Sequence, residues 1–271
     1  MQRMDELSQT RTNPPEARIL PETPARTRAE RLRLLRAARL YVCTDARTSR
    51  GDLESFLHAV YDGGADIVQL RDKSLSAAAE LEALTLLGRV AREHGALFAA
   101  NDRADLALLC GADVFHGGQE DISPAEARAV LGPDVLIGRS TRTLPQAEAA
   151  LVDPDVDYFC AGPVWETPTK PGRPAVGLGH VEAVAALAEE AGRTGDAAGA
   201  AGQAGAVVHS AGDTDGLPYK PWFAIGGIDL GRLPEVVQAG ASRAVVVRAV
   251  TEAVDPAEAA AALRQLLGSG D

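Results

Sequence analysis

The sequence predicts an α/β protein formed by a single (β/α)8 barrel, the TIM-barrel architecture. Eight short apolar runs alternate with amphipathic stretches from residue 40 to residue 267, a pattern typical of βαβ units around a parallel sheet. The length of 271 residues suits one such barrel. An open doubly wound sheet would need a glycine-rich nucleotide fingerprint after its first strand. Residues 44–47, which follow the first apolar run, contain no such fingerprint.

The predicted strands are short runs rich in β-branched and aromatic residues. In chain order they cover residues 40–43, 66–70, 96–100, 113–117, 135–138, 157–162, 222–227 and 244–247. The amphipathic stretches predict helices at residues 52–62, 75–94, 123–131, 178–191, 229–239 and 255–267. A short basic helix over residues 25–38 precedes the first strand, and we expect its charges to face solvent.

Several helix ends can be located in the sequence. Ser123 and Asp255 are each followed by proline and, three positions on, by glutamate, which is typical of an N-cap with proline at the first helical position. Gly64, Gly111 and Gly240 each lie between a helical stretch and an apolar run. A glycine there can adopt the left-handed conformation that ends a helix and turns the chain toward the next strand.

Two segments lie outside the alternating pattern. Residues 1–28 contain four prolines among polar residues and no apolar period, so we predict a disordered tail followed by a barrel domain over residues 29–271. Residues 192–218 are rich in glycine and alanine and are predicted to be a flexible insertion between the helix of the sixth βα unit and the seventh strand. That position lies at the end of a barrel opposite its active site.

Composition restricts the classes of partner. The net charge of -11 gives no general attraction to nucleic acid or to anionic membranes, so any anion must bind at a local basic site. There is neither an apolar run of 18 residues nor an apolar secretion signal near residue 1, and we expect a cytoplasmic protein. Cys43, Cys110 and Cys160 are far apart and are expected to be reduced, buried thiols.

The second predicted strand ends with Gln69, Arg71 and Lys73 at alternate positions. Alternation directs these three side chains to one side of the strand, and two cations with an amide suit a phosphate or a diphosphate. Active sites of (β/α)8 barrels lie at the carboxyl ends of the strands. The alternative interpretation is an exposed strand end whose charges are only solvated.

Two carboxylates follow the next two predicted strands. Asp102 and Asp121 would reach the same rim, where hard oxygen ligands beside a diphosphate site suggest Mg2+ bound partly through substrate oxygens. The alternative is that each aspartate caps the helix that follows it. His116 is expected to be a buried barrel histidine, because no second histidine has a metal-like spacing from it.

The fifth and sixth predicted strands lead to hydroxyl groups and a cation. Ser140 follows the fifth strand, and Thr167, Thr169 and Lys170 lie in the proline-containing loop after the sixth. Such a loop is suited to holding an anion. Trp165 in the same loop could stack on a heteroaromatic ring or could belong to the core.

The seventh and eighth predicted strands end near Gly227 and Arg248. In (β/α)8 barrels the loops after these two strands commonly hold a phosphate on backbone N–H groups, and glycine allows the close approach that this contact needs. A basic side chain across from the glycine favours a phosphate site.

The chain resembles the thiamine-phosphate synthase family from about residue 40 to residue 267. The resemblance rests on QLRDK at 69–73, Asn-Asp-Arg at 101–103, HGGQED at 116–121, GPVWETPTK at 162–170, AIGGI at 224–228 and a Gly-Ala-x-x-Val pattern near the eighth strand. It implies an enzyme that joins hydroxymethylpyrimidine diphosphate to hydroxyethylthiazole phosphate and releases pyrophosphate, with Mg2+ as cofactor.

The resemblance also implies roles for individual residues. The pyrimidine diphosphate would contact Gln69, Arg71, Lys73, Asn101, Ser140 and Lys170, of which Arg71, Lys73 and Lys170 would stabilise the departing pyrophosphate. Asp102 and Asp121 would bind Mg2+. The thiazole phosphate would contact Thr167, Thr169, Gly227 and the strand-eight backbone at Val247 and Arg248. Arg248 stands where the family often has serine, which leaves the role of its side chain open.

Three other functions stay open at this point. The chain could be a non-transferring paralogue of the same fold, thiazole isomerase-like or regulatory, although the full diphosphate and metal set argues against it. It could be a phosphate-binding barrel without turnover, or another phosphosugar enzyme, which would need an acid–base pair at the rim. The expected partners are small molecules, not nucleic acid or a membrane, and a homo-oligomer is compatible with the sequence.

Overall fold

The structure is a computed structural model that describes residues 25–167, 172, 174–201 and 220–268, with the backbone alone over 194–201. Its centre is a closed barrel of eight parallel strands in chain order, in which the first strand pairs with the eighth. This arrangement confirms the predicted fold class. The strands are β1 Leu40–Thr44, β2 Ile67–Leu70, β3 Leu97–Asn101, β4 Val114–Gly117, β5 Leu136–Thr141, β6 Tyr158–Ala161, β7 Trp222–Ile225 and β8 Ala244–Val246.

Helices surround the barrel. They are α1 Arg28–Ala37, α2 Leu53–Asp62, α3 Ala77–Glu93, α4 Ala104–Cys110, α5 Pro124–Leu131, α6 Leu144–Val152, α7 Leu178–Ala201, α8 Leu233–Gln238, α9 Arg248–Thr251 and α10 Pro256–Leu266. Three of them, α4, α6 and α9, are not predicted from the sequence and have only 7, 9 and 4 residues.

Helix α7 continues further than the sequence predicts. The predicted end is residue 191, but the helix continues to Ala201, inside the segment 192–218 that is predicted to be a flexible insertion. Alanine has the highest helix propensity, and the alanines at 197, 198, 200 and 201 favour this continuation despite the intervening glycines. The rest of the predicted insertion, from residue 202, lies outside the described residues.

Several predicted helix ends are confirmed. Ser123 forms a capping box with Glu126 at the start of α5, and the carboxylate of Asp255 accepts hydrogen bonds from two backbone N–H groups at the start of α10. Gly111 ends α4 with a left-handed φ of 65°. These caps direct the chain from strand to helix and back at the two ends of the barrel.

Apolar residues form two cores, one inside the barrel and one between the barrel and its helices. Inside, the rings of Tyr41 and Tyr158 each pack edge-on against Phe223, with centroids 5.6 and 5.8 Å apart. Leu35 and Ala38, in and after α1, belong to this inner core. Helix α1 therefore closes the bottom of the barrel.

The charges of α1 do not all face solvent, contrary to the expectation. Arg31 is only 3% exposed and its Nε lies 3.1 Å from Oδ1 of Asp113. Arg28 pairs with Asp157, and Arg26, inside the predicted tail, pairs with Asp113. The aspartates before β4 and β6 fix the helix to the bottom of the barrel, so Arg26 and Arg28, which the predicted tail includes, pack on the barrel. Residues 1–24 lie outside the described part.

None of the helices in the described part of the chain combines the length and apolar character needed to cross a bilayer.

Candidate active site

A cavity of about 320 Å3 opens at the carboxyl ends of the barrel strands. Loops from several strands line it, as the fold predicts. It collects most of the predicted substrate-binding residues that the structure describes: Gln69, Arg71, Asn101, Ser140, Thr167, Gly227, Val247 and Arg248. Thr169 and Lys170, both predicted to be site residues, lie outside the described residues.

One side of the cavity carries Arg71 together with the buried amides of Gln69 and Asn101. The Nε of Arg71 is buried and has no hydrogen-bond partner among the described residues. A buried, unpartnered donor is costly, and an anion in the cavity would satisfy it. The diphosphate site predicted at Gln69 and Arg71 stays a prediction.

Lys73 does not line the cavity with Gln69 and Arg71. Its side chain is 63% exposed, and its Nζ lies 2.7 Å from Oδ2 of Asp102. Strand β2 ends at Leu70, so strict alternation no longer applies at residue 73. Lys73 and Asp102 nonetheless lie together at the rim, one after β2 and one after the neighbouring β3.

Asp102 has an unusual backbone conformation, with φ at 47°. Its N–H donates to the carbonyl of His116 on the neighbouring strand, at 3.0 Å, which holds the left-handed conformation. Asparagine and aspartate tolerate this region better than other side chains. Asp102 does not cap α4, whose N-cap is Arg103 without a side-chain capping bond.

Asp121 lies in the loop after β4, and its Oδ2 accepts a hydrogen bond from the N–H of Gly118 at 2.6 Å. It does not cap α5, because Ser123 does. The alternative interpretation of both aspartates as helix caps is therefore wrong. Among the described residues no group of three or more histidine, cysteine, aspartate or glutamate side chains could hold a metal ion.

A buried carboxyl group lies close to the Asp102 loop. Glu80 in α3 is 8% exposed, and burial, followed by the negative charge of Asp102, raises its pKa. The negative charge of Asp102 therefore disfavours the ionised form of Glu80, and the positive charge of Arg103 acts in the opposite sense.

Another side of the cavity is formed by the ends of β7 and β8. Gly226 and Gly227 have φ values of 108° and 68°, so both occupy conformations that other residues rarely adopt. A Cβ on Gly226 would lie 2.4 Å from Cβ of Pro163, which shows how closely the loop after β6 approaches. Val247 and the exposed Arg248 complete this side.

Arg232 and Asp229 also line the cavity, and neither is among the residues predicted from the sequence. The guanidinium of Arg232 lies 5.1 Å from the ring centre of Trp165 and donates to the carbonyl of Gly227 at 3.0 Å. Trp165 thus supports Arg232 and packs on the outer core, and it does not line the cavity in the structure. The sequence does contain one signal for Arg232 as a site residue, because it is a basic residue five positions after Gly227.

Buried polar side chains connect two walls of the cavity through the barrel interior. Gln69 donates to the hydroxyl of Tyr41 at 2.8 Å, and the hydroxyls of Tyr41 and Tyr158 are 3.3 Å apart. His116 contacts the Tyr158 hydroxyl through Nδ1 at 3.0 Å and the Ser140 hydroxyl through Nε2 at 2.9 Å. His116 is 6% exposed, which confirms the expected buried histidine.

Comparison with known proteins identifies the family. The family model of thiamine monophosphate synthase matches residues 40–250, the span from β1 through β8. The chain belongs to the thiamine monophosphate synthase family. The predicted resemblance is thereby confirmed.

Curated members of the thiamine monophosphate synthase family are similar over nearly their whole length. The chain is 55% identical to a thiamine-phosphate synthase of Arthrobacter sp. (strain FB24) over 241 residues, which are 88% of this chain and 97% of that protein. It is 52% identical to a thiamine-phosphate synthase of Thermobifida fusca (strain YX), over 86% and 94% of the two chains.

A solved structure has the same architecture. The thiamine phosphate pyrophosphorylase from Pyrococcus furiosus superposes with a TM-score of 0.65 at 27% identity, and the match covers 86% of this chain and 96% of that one.

Proposed function

We propose that the protein transfers the pyrimidinylmethyl group of hydroxymethylpyrimidine diphosphate to the ring nitrogen of hydroxyethylthiazole phosphate. The products are thiamine phosphate and pyrophosphate. The observation that carries this proposal is a single cavity with an unpartnered buried guanidinium nitrogen on one side and a two-glycine turn beside Arg248 on the other. Two anionic substrates need two such anion-binding sides.

The diphosphate would lie on the β2–β3 side. Arg71 would donate from its buried Nε, and Asn101 and Ser140, which line the same cavity, would donate further hydrogen bonds. Lys73 lies at the adjacent rim, and Lys170, outside the described residues, would complete the cationic set. These charges act on the negative charge that grows on the leaving group, which is where electrostatic stabilisation lowers a barrier most.

Asp102 and Asp121 fit a magnesium ion in their donor chemistry. They lie in loops after two paired strands, and Oδ1 of each takes no hydrogen bond or ion pair among the described residues. Two carboxylates are too few for an all-protein site, but Mg2+ is commonly bound by one or two carboxylates together with substrate phosphates. When bound, the ion would neutralise charge on the departing pyrophosphate.

The thiazole phosphate would lie against Gly227, Val247 and Arg248, with Thr167 on the facing loop. This placement would bring the thiazole nitrogen toward the pyrimidine methylene carbon. The C–O bond to the diphosphate breaks, its electron pair leaves with pyrophosphate, and the nitrogen lone pair forms the new C–N bond. The aminopyrimidine delocalises the positive charge of the carbon, so positioning replaces activation of a nucleophile.

The curated relatives named thiamine-phosphate synthase support this function over the three alternatives. An acid–base pair for a phosphosugar enzyme would need His116, but both of its ring nitrogens contact hydroxyls inside the barrel. This arrangement favours transfer by positioning and charge stabilisation.

The test is a coupling assay with purified protein, both substrates and Mg2+, followed by chromatography. We expect thiamine phosphate and pyrophosphate in equal amounts, and neither product when one substrate is omitted. Binding of both substrates without product would instead show a binding barrel. Arg89→Ala, on the outer surface in an ion pair with Glu54 and Glu93, serves as the active control.

A further inference from the structure

Five buried or half-buried polar side chains form one continuous path across the barrel. The path starts at Gln69 on β2, passes through Tyr41, Tyr158 and His116, and ends at Ser140 on β5. Both ends line the cavity. The three middle side chains have at most 6% of their surface exposed, so each hydrogen bond among them lies away from bulk water.

The direction in which hydrogen bonds are donated along this path follows from the chemistry of Gln69, its first member. The amide nitrogen of Gln69 can only donate, so the Tyr41 oxygen accepts and the Tyr41 proton must point elsewhere. The Tyr158 oxygen lies 3.3 Å from the Tyr41 oxygen and can accept that proton. The Tyr158 proton then points to Nδ1 of His116, at 3.0 Å.

The direction fixes the tautomer of His116. With Nδ1 as acceptor, the ring proton is on Nε2, which donates to the Ser140 oxygen at 2.9 Å. The Ser140 hydroxyl then has its own proton left to donate toward the cavity. A hydroxyl that must donate suits an anionic oxygen and is a poor partner for a cation or for another donor.

The reverse direction would need the Gln69 amide turned over. Its nitrogen would then face the sulfur of Cys43, which now donates to the amide oxygen at 3.4 Å, and sulfur is a weak acceptor. In that arrangement Ser140 would donate to His116 and would present only lone pairs to the cavity. In the observed orientation the Gln69 amide nitrogen donates to the Tyr41 hydroxyl and the amide oxygen accepts from Cys43, so both polar atoms of the amide have partners.

We infer that Tyr41, Tyr158 and His116 are positioning residues that set the Ser140 hydroxyl as a hydrogen-bond donor to the diphosphate of the pyrimidine substrate. This inference rests on the proposed function for the identity of that anion, whereas the direction of the path does not. The path also restrains Gln69, so both cavity residues at its ends are oriented before substrate binds.

The direction is tested without substrate by NMR of protein labelled with 15N-histidine, with the His116 signals assigned through His116→Gln. We expect a proton on Nε2 and none on Nδ1 of His116, and loss of this preference in Tyr158→Phe. A proton on Nδ1 of the parent protein would overturn the inference. Because the measurement needs no catalysis, it stands even if the coupling assay fails.

The positioning role is tested by kinetics of Tyr158→Phe and Tyr41→Phe. Tyr61→Phe is the matched control, because Tyr61 is also buried and donates to the carbonyl of Leu97 at 2.9 Å but lies in the outer core. We expect the KM for the pyrimidine diphosphate to rise about tenfold in the two path variants, since one hydrogen bond to a charged group is lost, with the thiazole phosphate KM within about twofold.

Equal effects in the path variants and in Tyr61→Phe would overturn the positioning role. So would a matching rise in both KM values. If either path variant fails to fold, the other carries the measurement, and the tautomer of the parent protein decides the direction in any case.

Discussion

Arg31 and Asp113 form a buried ion pair at the bottom of the barrel. The Nε of Arg31 lies 3.1 Å from Oδ1 of Asp113, and neither side chain is more than 4% exposed. Arg26 donates to the other carboxylate oxygen at 2.6 Å. One carboxylate before β4 therefore anchors two arginines of the N-terminal segment.

Asp113→Asn is expected to lower the free energy of unfolding by about 3 kcal/mol, because it leaves the Arg31 guanidinium buried without a counter-charge. Denaturant titration measures the change. Asp105→Asn breaks the exposed ion pair with Arg103 and should cost less than about 1 kcal/mol. Equal losses in the two variants would contradict the argument.

Arg71→Ala is expected to lower kcat by roughly a hundredfold or more, since the donor acts on charge that develops as the pyrophosphate leaves. The KM for the thiazole phosphate should change little, because that substrate lies on the other side of the cavity. Steady-state kinetics with each substrate varied in turn separates these effects. A selective loss of thiazole phosphate affinity would mean that the two anion sites are exchanged.

Asp102→Asn and Asp121→Asn are expected to raise the Mg2+ concentration needed for half-maximal activity, because each amide removes one negative charge from the site and hardly changes its shape. Asparagine also tolerates the left-handed backbone at residue 102, so folding should be retained. Glu120→Gln, on an exposed neighbour of Asp121, is the control. Unchanged activity after chelation with EDTA would exclude the magnesium proposal.

High pH should unfold the protein through its buried tyrosines. Burial raises the pKa of Tyr41, Tyr61 and Tyr158 well above the ordinary value of 10.0. Above pH 10 the unfolded chain loses these protons and the folded chain keeps them, so stability falls as pH rises. Each tyrosine contributes about 1.4 kcal/mol per pH unit to that fall.

Absorbance near the phenolate band, followed together with circular dichroism, measures this alkaline transition. The three phenols should ionise at the same pH at which the structure is lost. In the Tyr61→Phe variant, the free energy of unfolding should depend less steeply on pH. Ionisation of all three phenols while the fold is intact would contradict the prediction.

Gly138→Ala is expected to destabilise the protein by about 1–3 kcal/mol. A Cβ at residue 138 would lie 2.1 Å from Cζ of Tyr158, and that ring is fully buried. Gly95→Ala is the comparison, since no atom lies within 4 Å of its Cβ and its φ of 66° leaves backbone strain alone. Gly138 does not have a left-handed φ, so thermal unfolding of the two variants compares a steric cost at residue 138 with a backbone cost at residue 95.

The barrel and the cavity wall could be predicted because their signals are local. Each strand is a contiguous apolar run, and Gln69, Asn101 and Ser140 occur where such runs end. The position of Lys73 could not be predicted in the same way, because alternation stops where the strand stops and an ion pair with Asp102 determines its direction.

The hydrogen-bonded path inside the barrel and the packing of α1 at its bottom could also not be predicted from the sequence. Tyr41 and Tyr158 are ordinary strand residues until their strands close on one another, when residues 117 positions apart come into hydrogen-bond distance. Arg31 occurs in a helix whose arginines are spread around its circumference, so that its sequence indicates no single apolar face. Tertiary closure, which no local pattern records, determines both arrangements.

The position of helix α1 at the bottom of the barrel has a consequence for how the chain folds. Helix α1 precedes every strand of the barrel, yet its partners Asp113 and Asp157 lie more than 80 residues later, and Arg243 donates to the carbonyl of Arg36 across 207 positions. Loop closure over such separations is slow and costly in entropy. We therefore expect helix α1 to complete its docking only after Asp113, Asp157 and Arg243 have been translated, so that its docking joins the segment before β1 to the last strand.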